Sequence, residues 1–142
     1  MAPGACKFST HFDARLEAVP LALDFVATAL RTGFVSDERI ARSELILEEL
    51  FRNAVLHGYA GQAGGVWVGV CLPDDGEPGF WLEDEAAPFN PLAGAGDQHG
   101  PDPGQAIAAQ PVGGVGLLLI RQLSRHVEHA IIEGRNRTTV TI

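Results

Sequence analysis

Three polar side chains in the stretch LILEELFRNAVLHGY (residues 45–59) recur at intervals of four: Glu49, Asn53 and His57. Positions four apart on a helix are stacked neighbours, so this spacing predicts one row of a carboxylate, an amide and an imidazole. The row adjoins an apolar stripe that a helix would bury, formed by Ile46, Leu47, Leu50 and Ala54. A partly desolvated carboxylate can act as a general base and an amide oxygen can ligate a hard cation, although the same spacing occurs on many solvated helices.

Two later segments carry residue types that could complete a binding site. Asp84 stands at the end of a predicted strand and begins a turn, in the segment EDEAAPFNP (residues 83–91). Gly113, Gly114 and Gly116 precede a predicted helix in GGVGLLLIRQL, so bare backbone N–H groups and a helix N-terminus can face an anion there. Taken separately, the first segment is also typical of a plain acidic turn, and the second of a flexible junction.

The elements that must position these residues follow from hydrophobic periodicity and from turn residues. We predict a strand at 7–12, a helix at 20–32, a second helix from the N-cap Ser36 to about His57, a β-hairpin of 65–72 and 80–85, a third helix at 115–126, and strands at 126–133 and 137–142 joined by a turn at 134–136. The Gly- and Pro-rich stretch 92–114 is either disordered or a functional lid. This order predicts an α+β fold, a two-layer sandwich with helices on one face of a mixed, largely antiparallel sheet.

Length, charge and cysteine usage restrict the class of protein. A chain of 142 residues fits one domain, which we place at residues 1–142. The formal net charge is −8 and no Lys or Arg lies between Arg52 and Arg121, which argues against nucleic acid as a partner. No run approaches the ~20 apolar residues of a membrane span, so we predict no membrane partner. Cys6 and Cys71 lack zinc-type spacing, and we predict that they are reduced thiols in a cytoplasmic protein.

In this order the segments resemble the ATP-binding domain of the gyrase, histidine-kinase and MutL superfamily, and specifically its bacterial anti-sigma-factor serine/threonine kinase branch. Glu49, Asn53 and the HGY at 57–59 match an E-x-x-x-N box and its ending. Asp84 with PFNP partly matches a D-x-G turn that runs into Pro-Phe-Asp-Pro, and residues 113–117 match a G-G-x-G-L box. RNRTT at 135–139 matches an R-N-R-x-T motif in the last strand. The resemblance spans almost the whole chain.

The resemblance implies a role for each matching residue. Asn53 would hold the Mg²⁺ that bridges the ATP phosphates, Glu49 would be the catalytic residue that orients or deprotonates the attacking hydroxyl, and Asp84 would accept the adenine amino group. The glycines would wrap the phosphates as an ATP lid at 92–114 closes. The implied cofactor-binding residues are Asn53, His57, Asp84, Ala86, Phe89, Asn90, Gly113, Gly114, Val115, Gly116, Leu117 and Thr139.

Two positions depart from the pattern, because Ala86 replaces the glycine of the D-x-G turn and Asn90 replaces an acid. If the backbone at Ala86 needs a positive φ, alanine costs about 1 kcal/mol or more, and its methyl group could crowd the base. His57 occupies the last helical turn, where the helix dipole favours a histidine for structural reasons alone. The departures put catalytic turnover in question more than nucleotide binding.

The resemblance implies an ATP-binding regulatory protein with ATP and Mg²⁺ as cofactors. Our first hypothesis is a homodimeric protein kinase that transfers the ATP γ-phosphoryl group to a Ser or Thr of a small antagonist protein and sequesters a sigma factor. The second is a catalytically weak or inactive regulator that binds partners with the same fold. A third, the catalytic half of a histidine kinase, has little support, because no dimerisation helix with a phospho-acceptor His precedes residue 7.

Overall fold

The computed structural model describes residues 6–90, 92 and 114–142. In chain order the described elements are β1 (Phe8–Asp13), α1 (Val19–Thr32), α2 (Asp37–Asn53), β2 (Gly65–Cys71), β3 (Gly79–Asp84), α3 (Gly114–Leu123), β4 (His126–Ile132) and β5 (Arg135–Thr141). A 3-10 turn (Leu16–Ala18) precedes α1 and a π-helical turn (Ala54–Gly58) follows α2. This order of helices and strands is the predicted one. The predicted lid lies outside the described residues, except for Leu92 and Gly114.

The strands form one sheet in the order β1-β2-β3-β5-β4, and the helices pack on one side of it. The predicted two-layer α+β fold is therefore confirmed. Where the sequence predicts a mixed sheet, every neighbouring pair of described strands is antiparallel. No helix in the described segments is long and apolar enough to cross a lipid bilayer.

The inner face of the sheet, which points toward the helices, builds the core. Alternate residues of β2 and β3 are almost fully buried there: Val66, Val68, Val70, Phe80 and Leu82. The predicted apolar stripe of α2 belongs to the same core: Ile46, Leu47, Leu50 and Ala54. Burial of one such large aliphatic side chain contributes roughly 1.5–3 kcal/mol, so α2 is held firmly against the sheet.

The outer face of the sheet, which points away from the helices, carries a cluster of aromatic and charged side chains. The Arg135 guanidinium lies 3.7 Å from the ring centroid of Trp67, and that of Arg137 lies 4.5 Å from the ring centroid of Trp81. Both arginines pair with Glu83, at 3.7 Å and 2.7 Å respectively. These five residues, the outer-face cluster, stand at odd-numbered strand positions and so share one face.

A two-residue turn joins β4 to β5. Glu133 and Gly134 both have a positive φ, at 52° and 81°, as a type I′ hairpin turn requires. The sequence predicts a longer turn at 134–136, which is wrong because the tight turn lets strand pairing begin at once. Arg135 and Asn136 consequently belong to β5, and Asn136 pairs with Asp84 of β3.

Cys6 and Cys71 form a disulfide bond, so the prediction of two reduced thiols is wrong. The pairing of β1 with β2 places Phe8 opposite Val70, which brings the segment before β1 beside the end of β2. The two cysteines are 65 residues apart in sequence and meet only through strand register, so spacing alone does not reveal the bond. Because the cysteines are bonded to each other, they do not support the predicted cytoplasmic location.

Reduction of the disulfide should lower the free energy of unfolding by about 2–4 kcal/mol, because the bond closes a long loop in the unfolded chain. Urea unfolding with and without dithiothreitol measures the difference. Cys6→Ser is the control, since its stability should not respond to the reductant. Equal stability of the wild type under both conditions, or two free thiols in the unreduced and unfolded protein, would contradict the bond.

Candidate functional site

The C-terminal end of α2 faces the end of β3 and the start of β5 across a small cavity. Its walls come from α2, β3, the turn after β3, and β5: Leu50, Asn53, Ala54, Leu82, Asp84, Phe89, Asn136 and Thr138. The structure thus brings together three of the predicted residues, Asn53, Asp84 and Phe89. The cavity measures about 10 Å³, which is room for one water molecule, so a larger ligand enters only if a wall moves.

Asp84 presents a buried carboxyl group at the last position of β3, with 4% of its surface exposed. Its Oδ1 accepts hydrogen bonds from the Ala86 N–H at 3.0 Å and from the Asn136 amide at 2.8 Å. Burial raises the pKa of Asp84 above its ordinary value, and the two hydrogen bonds and the nearby His129 offset part of that rise. Within the described residues Oδ2 has no hydrogen-bond donor, so one acceptor remains for a ligand.

Two residues of β5 at the cavity, Asn136 and Thr138, are not among the cofactor-binding residues predicted from the sequence. Both are 3% exposed and lie on the inner face of the sheet. Thr139, which the sequence predicts as a cofactor-binding residue, lies instead on the outer face opposite Trp81. Strand alternation is the signal that selects Thr138, but it can be applied only once the turn before β5 is known.

Ala86 fits its turn without a left-handed backbone, since it is not among the residues of positive φ. Its methyl group lies beside Gly58, where a Cβ would approach it to 3.2 Å. Ala86 is 7% exposed and does not line the cavity. The backbone strain expected of alanine requires a positive φ, which Ala86 does not have. Crowding of a bound base by its methyl group stays a prediction.

Glu49 contacts the first turn of α3 at Gly116. An ideal Cβ at Gly116 would lie 2.0 Å from Glu49 Oε1, so any side chain at this position would displace the carboxylate. The predicted catalytic residue and the predicted glycine box therefore meet, near a helix N-terminus whose dipole favours negative charge. Leu117 is 5% exposed and belongs to the hydrophobic core rather than to the cavity wall.

The π-helical turn ends the polar row predicted along α2. The Tyr59 N–H donates to the Ala54 carbonyl at 2.8 Å, a hydrogen bond that spans five residues instead of four. His57, within this wider turn, is exposed and does not line the cavity. The Tyr59 hydroxyl anchors the turn, because it bonds the start of β2 and the residue after β3, both at 2.7 Å.

Asn90, another predicted cofactor-binding residue, does not line the cavity. Asn90 is exposed, and its amide oxygen accepts the Leu92 N–H at 2.8 Å. Of Gly114 and Val115 the structure describes the helical backbone alone, and Gly113 lies outside the described residues.

A family model for the histidine kinase-like ATPase domain matches residues 12–142, from the end of β1 to the last residue. No curated protein matches the chain. The matched range includes every residue that lines the cavity, together with Glu49 and Gly116.

Asp84→Asn should raise the free energy of unfolding at pH 7. Burial raises the folded-state pKa of Asp84 above its unfolded value, so stability is lost as the pH rises from the unfolded pKa through the folded one. An asparagine oxygen can still accept the hydrogen bonds from Ala86 and Asn136 without carrying a charge. The gain should vanish below pH 3.8, where the unfolded carboxyl is protonated as well.

Urea unfolding at pH 7 and in acid measures this difference. Asp74→Asn, which changes an exposed carboxylate in the β2–β3 turn, is the matched control and should change stability little at either pH. An Asp84→Asn protein less stable than the wild type at pH 7 would mean that the charge itself holds the turn together.

Proposed function

The chain belongs to the histidine kinase-like ATPase domain family, and on that premise we propose an ATP-binding regulatory protein whose nucleotide site is the cavity between α2, β3 and β5. The observation that carries the proposal is a buried Asp84, one oxygen of which accepts no hydrogen bond from the residues that the structure describes, in the same cavity as Asn53. A carboxylate is an acceptor only, so it favours a ligand with an N–H donor, such as the adenine amino group.

The phosphate end of the proposed site lies between Asn53 and the first turn of α3. The Asn53 amide makes no hydrogen bond with the described residues, so its oxygen is free to ligate a hard cation. Among those residues there is no cluster of three or more His, Cys, Asp or Glu side chains, so Mg²⁺ would be held by Asn53 together with the nucleotide. The ion would supply charge neutralisation on the phosphates, and the backbone of the first turn of α3 would add N–H donors.

Within this role we propose a serine/threonine kinase of the anti-sigma-factor type. In the transfer step a Ser or Thr hydroxyl oxygen of the partner bonds to the γ-phosphorus, the bond from that phosphorus to the β–γ bridging oxygen breaks, and ADP leaves with the electron pair. Glu49 would take the hydroxyl proton, and its contact with Gly116 supports a place beside the phosphates. The acceptor would be a small antagonist protein, the regulated partner a sigma factor, and the assembly a homodimer.

A second candidate is a regulator that binds partners and transfers phosphate slowly or not at all. The size of the cavity favours it, because the walls must separate before a base can enter. Asn90 also favours it, since its amide closes the turn toward Leu92 where the kinase pattern has an acid. The two candidates share the fold and differ in whether the γ-phosphate of ATP is transferred to a partner.

ATP affinity should depend on Mg²⁺ through Asn53. Asn53→Ala should lower the affinity roughly tenfold with Mg²⁺ and change it little in EDTA, because only the metal loses a ligand. Asp84→Asn should weaken binding under both conditions, since it adds donors to an acceptor site. Isothermal titration calorimetry measures these affinities, with Glu48→Gln on α2 as the control. No binding to the wild type at millimolar ATP would reject the nucleotide site.

Glu49→Gln should reduce phosphate transfer by about a hundredfold or more while ATP affinity stays nearly constant, because a general base acts on the chemical step. Transfer of labelled γ-phosphate to candidate antagonist proteins measures the rate, and calorimetry measures the affinity. Glu48→Gln, the neighbouring carboxylate on the same helix, is the matched control. Equal transfer by Glu49→Gln and the wild type would remove Glu49 from the chemistry. Tight ATP binding without transfer to any candidate would favour the second function.

A further inference from the structure

We infer that Asn136 is a positioning residue of the nucleotide site, which orients the Asp84 carboxylate so that Oδ2 is the oxygen left for the ligand, and which holds residues 84–89 in the required turn. The inference rests on the proposed ATP-binding function and extends it to a residue of β5. Asn136 acts on the ligand through Asp84.

Asn136 makes hydrogen bonds along the whole of this turn and is 3% exposed. Its Nδ2 donates to Asp84 Oδ1 at 2.8 Å, and it also lies within hydrogen-bonding distance of the carbonyl oxygens of Ala86 at 3.2 Å and Ala87 at 3.3 Å. Its Oδ1 accepts the Phe89 N–H at 3.1 Å. One side chain of β5 therefore engages the last residue of β3 and three residues of the segment that follows it.

These contacts determine which way the Asn136 amide faces. Its nitrogen is surrounded by three oxygen atoms and its oxygen by an N–H, so the reversed amide would oppose oxygen to oxygen at three places. The Asp84 carboxylate is held from a second side by the Ala86 N–H, which reaches the same Oδ1. With Oδ1 occupied twice, Oδ2 is left to accept the ligand's donor.

The same bonds account for alanine at position 86. The carbonyl groups of Ala86 and Ala87 converge on the Asn136 amide, so side-chain hydrogen bonds specify the turn. Such a turn does not need the conformational freedom of glycine, and Ala86 has no positive φ. Without Asn136 these carbonyls and the Phe89 N–H would lose a buried partner, which destabilises the turn.

Among the described residues, two titratable groups on neighbouring segments interact with Asp84. His129 of β4 lowers the pKa of Asp84 and so favours the ionised carboxylate. Tyr59, after α2, lies close enough to Asp84 for the carboxylate to raise the pKa of the Tyr59 hydroxyl. Residues that face Asp84 from β2 and from the end of α2 are uncharged: Val66, Asn53 and Ala54. Asp84 therefore depends strongly on its hydrogen-bond donors.

Loss of the Asn136 donor should show in the titration of Asp84. Burial raises the pKa of Asp84, and the hydrogen bond from Asn136 is the largest of the influences that lower it. Asn136→Ala should raise the pKa of Asp84 further. When the pKa of Asp84 is higher, its carboxyl group becomes protonated at a higher pH. Its charge-assisted hydrogen bond to an amino group is then also lost at a higher pH.

The test is the pH profile of ATP affinity, measured by calorimetry between about pH 5 and pH 8. Asn136→Ala should bind ATP about tenfold more weakly at the upper end, and the deficit should grow as the pH falls. Asn136→Asp, which is nearly isosteric but sets a second carboxyl against Asp84, should shift the profile furthest. Thr141→Val, at an outer-face position of the same strand, is the control and should follow the wild type. The protonation of ATP itself affects the profiles of all these proteins equally, so it does not produce differences between them.

Two further measurements separate Asn136 from other causes. Each profile is repeated with His129→Gln, because His129 titrates in the same acid range. An NMR titration of the Asp84 carboxyl carbon in the ligand-free protein should show a higher midpoint in Asn136→Ala than in the wild type. Asn136→Ser, which keeps a hydroxyl donor, carries the test if the alanine variant does not fold.

The outcomes distinguish this inference from the proposed function. A wild type that binds ATP through Asp84, together with Asn136 variants that share its pH profile and its Asp84 midpoint, would overturn the inference and leave the function intact. A weaker affinity with an unchanged profile and midpoint would show a purely structural role and would also overturn it. Absence of ATP binding in the wild type would reject the proposed function and the inference with it.

Discussion

The alternation of side chains along β3 and β5 decides where the functional groups of this protein lie. Even-numbered positions face the helices, so Asp84, Asn136 and Thr138 line one cavity, while odd-numbered positions carry Glu83 and Arg137 to the outer face. A slip of one residue between these strands would exchange the two sets, burying an ion pair and exposing the cavity residues. The tight turn before β5 therefore sets the composition of the site as well as the topology of the sheet.

Two glycines at the ends of the helix layer allow close approaches: a side chain at Gly116 would displace Glu49, and one at Gly58 would press on the methyl group of Ala86. Gly116 lets the Glu49 carboxylate touch the first turn of α3, and Gly58 leaves space for the methyl group of Ala86. Asp84 adds a different constraint, because burial disfavours its ionised form, which is the form that binds a ligand donor more strongly. The geometry of the site thus depends on missing side chains at two positions, and its charge depends on hydrogen bonds rather than on basic residues.

How far the sequence predicts this structure differs between its helices and its strands. The four-residue spacing places Glu49 and Asn53 on α2 correctly, because helix periodicity is a local property of the chain. It fails at His57, where a π-helical turn changes the period, and no residue type announces that change. The predicted turn before β5 ends two residues too late, and the family resemblance points to Thr139 where the inner face carries Thr138.

The contacts that the sequence does not reveal depend on strand register. The Cys6–Cys71 bond and the hydrogen bonds of Asn136 join segments that are distant in the chain, and each appears only when neighbouring strands are aligned. The resemblance to known ATP-binding domains identifies Asp84 without showing what holds it. Departures from a family motif, such as Ala86, can likewise be judged only when the residue that packs beside them is known.

The outer-face cluster has a spectroscopic consequence. The protein contains two tryptophans, and each indole lies under an arginine on the side of the sheet that is turned away from the cavity. Intrinsic fluorescence therefore reports on that surface: a molecule that lifts a guanidinium from its ring alters the emission, whereas a ligand between α2 and β3 leaves both indoles in the same surroundings. Tryptophan emission therefore detects binding on the outer face of the sheet and does not respond to binding at the cavity.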